Sequence, residues 1–224
     1  MNDTSILLTI AVLGGTGKEG QGLAYRWAKA GYPVLIGSRS SERAVSSAGR
    51  IAEILDGAAS IVGMTNIDAA RQGQIIVLTV PFDAHRSTLE NVKAELQGKL
   101  LVDVTVPLVP PTVTKAIMPP AGSAAMEARE ILGEAVEIAS AFHHVSYEHL
   151  MKDDQIECEV LVTGTSKSAR QETLKLVEAA GLTGWDAGPL ENSMVLEGLT
   201  SVLININKRY GSTHSGIKIT GVSR

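Results

Sequence analysis

The sequence predicts an α/β fold with a doubly wound parallel sheet and a smaller C-terminal α/β portion. Strand-like and helix-like segments alternate along the chain, and the strand-like segments are continuous apolar runs rather than alternating ones. Runs of that kind are typical of a parallel sheet whose two faces are both covered by helices. We expect the two portions to span residues 1–140 and 141–224.

The first portion has the periodicity of five strands separated by four helices. The strands are predicted at 9–14, 34–36, 60–62, 75–80 and 100–106, and the helices at 18–30, 40–55, 66–72 and 83–97. Leu23, Trp27 and Ala30 fall on one face of the first helix, which Gly31 ends. Ser40 or Ser41 caps the second helix, and Gly57 closes it.

Residues 107–121 hold five of the eight prolines, so this segment is neither an internal strand nor a helix. It follows the carboxyl end of a strand, where open α/β sheets bind ligands. It is therefore either a stiff loop beside a ligand or a plain rigid connector.

The remaining elements are predicted as helix 124–132, strand 135–141, strand 157–163, helix 167–180, strand 184–187 and helix 190–209. A polar loop separates the first two of these strands. The last helix is apolar around most of its circumference. That distribution predicts burial on most sides, to which a second subunit could contribute.

Composition narrows the class of protein. The net charge of −4 argues against a nucleic-acid partner. The single cysteine, Cys158, excludes a disulfide framework and fits a reducing cytoplasm. Cys158 stands in an apolar run, which favours a buried hydrophobe over a reactive thiol. Met1–Thr4 has no positive region, and the apolar stretch that follows is too short to span a bilayer. We therefore expect a cytoplasmic protein without a membrane segment.

A glycine-rich loop joins the first strand to the first helix with the pattern Gly15-x-Gly17-x-x-Gly20. Gly15 would permit the tight turn, Gly17 the approach of a pyrophosphate, and Gly20 close packing of helix on sheet. N–H groups at the start of the helix would bind the phosphates. This context predicts a Rossmann-type dinucleotide site. The alternative is a tight turn that binds no ligand.

The end of the second strand indicates which dinucleotide binds. A site selective for NAD normally has Asp or Glu there, on the ribose 2′-hydroxyl. This strand instead ends in Ser38 and Arg39, and Arg43 follows one turn into the next helix. Hydroxyl and guanidinium groups suit a 2′-phosphate, so we predict NADP(H). The alternative is an ordinary surface arginine.

A histidine cluster (His143, His144 and His149) and a basic tail mark the second portion. His143 and His144 follow a strand, but they are adjacent, and no helical i, i+4 pair or nearby Cys supports a metal site. We expect His143 to line the nicotinamide or its reaction partner, with a structural histidine as the rival interpretation. Residues 208–224 carry four cations and no acid. This patch is predicted to be an anion site, a solvated edge or an oligomer contact.

Taken together, these features resemble the NADPH-dependent reductases of coenzyme F420, an 8-hydroxy-5-deazaflavin. The resemblance covers nearly the whole chain. It rests on Leu13–Gly17, Ile36–Arg39, Leu78–Pro81, Ser140–His143, Asp186–Leu190, Leu203–Asn205 and Gly216–Lys218. Three residues depart from the family pattern. Lys18 and Glu19 stand where family members also have small or apolar residues, and His144 stands where some have a smaller polar residue.

The resemblance implies a homodimer that transfers a hydride between NADPH and F420. It places Thr16, Gly17, Lys18 and Glu19 at the pyrophosphate and Ser38, Arg39 and Arg43 at the 2′-phosphate. Val80 and Pro81 would border the nicotinamide ribose. The stretch His143–Tyr147, including Val145 and Tyr147, and the backbone near Ser215 would border the reacting rings. His143 is the candidate to supply or orient the proton that the deazaflavin takes up, and the basic tail would suit the anionic tail of F420.

Two other functions fit the residues. The hydride acceptor could be an imine or a flavin. Alternatively, the chain could be a non-catalytic NADPH-sensing module whose apolar last helix contacts a partner. Hydride transfer needs proximity and exclusion of water rather than a nucleophile, which accords with a sequence that has no convincing catalytic triad.

Overall fold

The computed structural model describes residues 7–152 and 155–222. Its strands are β1 (Ile10–Leu13), β2 (Val34–Ser38), β3 (Ile61–Thr65), β4 (Ile75–Leu78), β5 (Leu100–Asp103), β6 (Glu137–Ser140), β7 (Glu159–Gly164) and β8 (Thr183–Pro189). Its α-helices are α1 (Lys18–Lys29), α2 (Ser41–Ile54), α3 (Asn66–Gln72), α4 (Phe82–Val92), α5 (Ala124–Leu132), α6 (Tyr147–Leu150), α7 (Lys167–Ala179) and α8 (Ser193–Tyr210).

All eight strands form one sheet in the order β3-β2-β1-β4-β5-β6-β7-β8. Neighbouring strands are parallel except β6 and β7, which are antiparallel. The predicted doubly wound α/β fold is confirmed. The strand order reverses between β1 and β4, and this switch point is where such sheets bind ligands. Strands from both sides of residue 140 belong to the same sheet.

Two apolar layers cover the sheet. On one face, α1, α2 and α7 contribute residues such as Trp27, Ile51 and Val177, which are buried against the strands. On the other face, α4 and α5 bury residues such as Leu89 and Ala128. With helices on both faces the central strands β1 and β4 are buried along their whole length, and this explains why their sequences are continuously apolar.

Some boundaries differ from the sequence prediction. The strands predicted to reach residues 80 and 106 end at Leu78 and Asp103, and the helix predicted to reach residue 97 ends at Val92. At the end of β5 the Asp103 carboxylate accepts the N–H of Thr105 at 3.0 Å, a side-chain bond that turns the chain away from the ladder. The loop predicted after β6 contains the short helix α6.

Within residues 7–152 and 155–222, no helix is long and apolar enough to cross a membrane. The prediction for Met1–Thr4 lies outside the described residues, as does Arg224 of the basic tail.

Candidate functional site

The glycine-rich loop has the geometry of a phosphate cradle. It runs from the end of β1 into α1, whose N-cap residue is Gly17 and whose first turn has no side-chain cap. The first N–H groups of a helix lack partners within it and attract anions. A Cβ on Gly17 would meet only the Gly14 carbonyl oxygen, at 3.4 Å, so the backbone is accessible there.

Sequence reasoning missed the glycine that makes the turn. Gly14 has φ +73°, a conformation that favours glycine, and its N–H donates to Asn66 Oδ1 at 3.2 Å. A Cβ on Gly15 would lie 2.7 Å from the carbonyl oxygen of Val12, so Gly15 is required for close approach instead. The position of Gly14 directly after an apolar strand is the feature that could have indicated its role in the turn.

Gly20 brings α1 close to the sheet. A Cβ there would lie 2.6 Å from Thr79 Oγ1 and 2.7 Å from the Gly15 Cα atom. We expect Gly20→Ala to lower the free energy of unfolding by about 1–3 kcal/mol, because the helix must move outward. It should also weaken nucleotide binding, because the phosphate cradle moves with the helix.

Urea denaturation and nucleotide titration measure both effects. Gly49→Ala is the matched control, since Gly49 lies inside α2 with nothing within 4 Å of the added Cβ. That substitution should stabilise the protein by up to about 1 kcal/mol through helix propensity. Equal stability of the two variants would contradict the packing role of Gly20.

A cavity of about 690 Å³ opens above the glycine-rich loop at the carboxyl ends of β1, β2, β4 and β5. The cations and hydroxyls predicted for a 2′-phosphate, Ser38, Arg39 and Arg43, line one part of it. Ser38 is buried, and its Oγ accepts the N–H of Ser40 at 3.3 Å. Ser40 caps α2 through the N–H of Arg43. Arg39 after β2 and Arg43 in α2 thus contribute two guanidinium groups to the cavity, and no carboxylate of these two elements lines it.

The other part of the cavity is formed by the ends of β4 and β5. Val80 and Pro81, the residues predicted to border a nicotinamide ribose, line it. Thr79 donates through Oγ1 to the Leu13 carbonyl oxygen at 3.0 Å, which ties this corner to β1. Val106, directly before the proline-rich segment, and Leu108, within it, also line the cavity. Further along, that segment contacts α8, where Ser201 Oγ donates to the Lys115 carbonyl oxygen at 3.2 Å.

The residues predicted beside a second ring system lie elsewhere. Val145, Tyr147 and Ser215 do not line the first cavity. Their chain neighbours Ser146, His214 and Gly216 line a second cavity of about 400 Å³. Lys18 links the two regions, because its Nζ lies 3.3 Å from Tyr147 Oη and 4.7 Å from the ring centroid.

His143 is held in a strained, buried segment. Phe142 has φ +69°, a conformation that side chains of its size rarely adopt and that is typical of functional segments. The Thr200 hydroxyl donates a hydrogen bond to the His143 carbonyl oxygen at 3.0 Å, and His143 Nε2 lies 3.1 Å from Ser140 Oγ. Burial and the neighbouring His144 lower the pKa of His143 to about 3, so its imidazole is neutral at pH 7. Its Nδ1 is buried without a hydrogen-bond partner.

His144 and Cys158 have structural partners. His144 Nε2 donates to the Leu196 carbonyl oxygen at 2.7 Å, and the Cys158 thiol donates to the His144 carbonyl oxygen at 3.2 Å. Cys158 is half-buried, and burial raises the pKa of its thiol. A protonated thiol packed against Gly216 supports the interpretation of Cys158 as a small hydrophobe.

A buried ionic network beneath the first cavity was not predicted. The His85 ring on α4 lies 2.8 Å from an Asp103 oxygen and 3.1 Å from a Glu127 oxygen, and Arg86 contacts the other Glu127 oxygen at 3.0 Å. Burial lowers the pKa of His85, but the two carboxylates outweigh it and raise that pKa to about 9. Asp103, an aspartate that ends an apolar strand, is the one feature of the sequence that could have indicated this network. Nothing in the sequence identified His85 as its partner.

The fold and this cavity define a Rossmann-type dinucleotide-binding protein. The chain matches the family described as "NADP oxidoreductase coenzyme F420-dependent" over residues 9–107. It is 37% identical over 223 residues to the F420-dependent NADP reductase of Methanocaldococcus jannaschii, covering 96% of this chain and 99% of that one. It is also 37% identical to the F420-dependent NADP reductase of Methanothermobacter marburgensis, with coverage of 96% and 99%. The chain belongs to the F420-dependent NADP reductase family.

A solved structure from Arthrobacter sp. FB24 has the same fold. It superposes with a TM-score of 0.79 at 22% identity, covering 96% of this chain and 100% of that one. The predicted family resemblance is confirmed over nearly the full length of the chain.

Proposed function

We propose that this protein transfers a hydride reversibly between NADP(H) and the deazaflavin coenzyme F420. One observation carries the proposal. In a chain of this family, a single cavity combines the cradle of the glycine-rich loop with Arg39 and Arg43, at the end of a strand that has no carboxylate. The hydride chemistry is supplied by the nicotinamide and the deazaflavin when both are bound. The protein's part is to bind, orient and exclude water.

The first cavity suits NADP(H) at both ends. The loop from Gly15 to Gly20, with Thr16, Lys18 and Glu19, would hold the pyrophosphate through backbone N–H groups. Arg39 and Arg43 would bind the 2′-phosphate through charge-assisted hydrogen bonds, with the Ser38 hydroxyl beside them. These donors match a dianionic phosphate, and no carboxylate of β2 or α2 lines the cavity beside them.

Val80 and Pro81 would position the nicotinamide ribose. Both follow β4 directly, and Val80 is buried against Gly14. A rigid apolar wall restricts the position of a ring and keeps water away from it. That is the contribution a protein makes to hydride transfer between two rings.

Val145, Tyr147 and the backbone at Ser215 would border the deazaflavin, next to the second cavity. Lys218 lines that cavity, and Lys208 and Arg209 lie in the last turn of α8. Cations in this region would suit the phosphate and glutamate tail of F420. In this arrangement residues 1–140 bind NADP(H), and residues 141–224 complete the deazaflavin pocket.

Of the two roles expected for His143, the orienting role fits its surroundings better than proton supply. A ring whose pKa is about 3 does not act as an imidazolium acid at pH 7. The Ser140 hydroxyl and the hydrogen bond from Thr200 hold the residue in place. The neutral ring would then orient a reacting group rather than protonate it.

The exposed side of α8 supports a homodimer. Val195, Val202, Ile206 and Tyr210 recur at helical spacing and are 65%, 48%, 37% and 74% exposed. Apolar residues at that spacing form one stripe on a helix, and contiguous exposed apolar surface of this kind marks protein contacts. The apolar circumference of α8 is therefore completed by a second copy of the chain. The free cysteine accords with a cytoplasmic location.

We expect Val202→Glu to convert the dimer into a monomer, because two like charges would be buried at the interface. Size-exclusion chromatography with light scattering measures the mass. Ile54→Glu is the control, since Ile54 is a similarly exposed residue on α2 (54%) and its substitution should leave the dimer intact. A monomeric parent protein, or a dimeric Val202→Glu variant, would contradict this interface.

One assay tests the proposed reaction. Purified protein is mixed with NADPH and oxidised F420, and the visible absorption of the deazaflavin is followed. We expect bleaching that depends on both protein and NADPH. Tight NADPH binding without bleaching would reject F420 as the acceptor, and parallel reactions with FMN and a cyclic imine would then test the other acceptors. NADPH binding without reduction of any of them would favour the sensing module.

A further inference from the structure

Arg26 on α1 binds the end of the short helix α6. Its Nε donates to the Leu150 carbonyl oxygen at 2.8 Å, and its Nη2 donates to the carbonyl oxygens of His149 and Lys152 at 3.0 and 2.5 Å. These oxygens lie in the last turn of α6 and just after it, where a helix leaves carbonyl groups without partners. A planar guanidinium has enough fixed donors to bind them together.

The position of α6 depends on α1. With only four residues, α6 is too short to be a stable helix by itself. Three residues of α1, spaced four apart, contact it along its length. Lys18 Nζ lies 3.3 Å from Tyr147 Oη at the start of α6, and a Cβ on Gly22 would lie 2.4 Å from the Leu150 Cβ. Arg26 completes this row with hydrogen bonds to the end of α6.

α6 also forms part of the wall of the second cavity. Its N-cap residue Ser146 donates through Oγ to the Thr213 carbonyl oxygen at 3.3 Å, and the His149 ring packs on the His214 ring with 4.9 Å between centroids. Ser146, His149 and His214 all line the cavity of about 400 Å³. A shift of α6 relative to α1 would therefore change the shape of this cavity.

α1 itself is anchored by other contacts. Trp27, next to Arg26, is fully buried, and its Nε1 donates to the Leu176 carbonyl oxygen of α7 at 2.8 Å. Gly20 brings the start of α1 close to the sheet. Arg26 lines neither of the two cavities. Substitution of Arg26 should therefore release α6 while the phosphate cradle stays in place.

We propose that Arg26 is a positioning residue for the deazaflavin, because it holds α6, and with it one wall of the second cavity, at a fixed place relative to the phosphate cradle. The inference rests on the proposed function, in which residues beside this cavity border the deazaflavin. α1 begins at the glycine-rich loop, so one helix would set the position of both cofactors. Hydride transfer depends on how the two rings are placed, and a misplacement of about 1 Å can cost about a hundredfold in rate.

Arg26→Lys tests this role, because it keeps the positive charge and replaces the planar fork with a single ammonium group. We expect kcat/KM for F420, measured at saturating NADPH, to fall by about tenfold or more, since the wall of its pocket moves. The Kd for NADPH should stay close to that of the parent protein. F420 reduction kinetics and fluorescence titration with NADPH measure the two quantities.

Arg129→Lys is the matched control. Arg129 on α5 is also half-buried, and its Nη1 donates to the carbonyl oxygens of Gly133 and Val136, both at 3.2 Å, but it lines neither cavity. This variant should lose stability without losing kcat/KM for F420. An unchanged kcat/KM in Arg26→Lys, or an equal fall in Arg129→Lys, would overturn the inference.

The single cysteine, Cys158, gives a second readout that needs no F420. It lines the second cavity and is half-buried, so its rate of reaction with a thiol reagent reports how open that cavity is. The rate should rise in Arg26→Lys and stay unchanged in Arg129→Lys. If Arg26→Lys does not fold, Gly22→Ala should displace α6 in the same way, because its new Cβ would meet Leu150.

The two readouts separate the inference from the proposed function. An unchanged thiol rate in a folded variant would overturn the positioning of the second cavity through α6, whatever ligand that cavity binds. Failure of the parent protein to reduce F420 would instead reject the proposed function. A faster thiol rate in Arg26→Lys would then still support the role of Arg26 in holding the cavity wall.

Discussion

Replacing Asp103 with alanine should lower the free energy of unfolding by about 3–5 kcal/mol, because the buried His85 ring then loses its charge partner. Asp103 is 1% and His85 0% exposed, so water cannot replace the lost carboxylate. Glu127 remains beside His85 but is shared with Arg86. Urea denaturation of the parent protein and of Asp103→Ala, at the same protein concentration, measures the loss of stability.

A double variant separates a broken pair from a lost contact. Replacing both Asp103 and His85 with leucine removes the charges together, and buried pairs exchanged for apolar groups often cost little. The double variant should therefore be more stable than Asp103→Ala. A loss below about 1 kcal/mol for Asp103→Ala, or a double variant less stable than it, would contradict the assigned ion pair.

The same pair predicts the direction of a pH effect. The pKa of His85 is raised from 6.5 to about 9 on folding, so its stabilising contribution is complete below pH 6.5 and is lost as the pH rises through 9. The parent protein should lose stability across that window. The double leucine variant should lose less, since it lacks the titrating group.

Replacing Arg39 with glutamate should weaken NADPH binding by about a hundredfold while changing NADH binding far less. A charge-assisted hydrogen bond contributes about 1.5–3 kcal/mol, and the new carboxylate would also repel the 2′-phosphate. Since 1.4 kcal/mol corresponds to a factor of ten, roughly two factors of ten are expected. Fluorescence titration with each nucleotide measures the two affinities.

The control variant must also replace a cation with an anion, as Arg39→Glu does, but far from the cavity. Lys167→Glu does so at an exposed position in the first turn of α7, where a negative charge suits the helix dipole. NADPH affinity should stay close to that of the parent protein. Equal losses of NADPH and NADH affinity in Arg39→Glu would show that Arg39 does not contact the 2′-phosphate.

Local patterns were sufficient for much of this description. The continuous apolar strands predicted the parallel sheet, and the absence of an acid after β2 predicted a preference for NADP(H). Both inferences use signals carried within a few residues. The strand ends were less accurate, since the bond from Thr105 to Asp103 turns the chain in a way that apolar character alone does not reveal.

The sequence by itself determined the α/β class, the glycine-rich loop and the family, because these depend on residue type and short spacing. Only the tertiary structure decided how distant residues meet. It made Gly14 the turn glycine, paired His85 on α4 with Asp103 at the end of β5, and placed β7 antiparallel to β6 within the same sheet. It also enclosed the Oε1 atom of Glu19, and burial raises the pKa of that carboxyl. Burial and pairing across the fold depend on packing between segments, which no local pattern encodes.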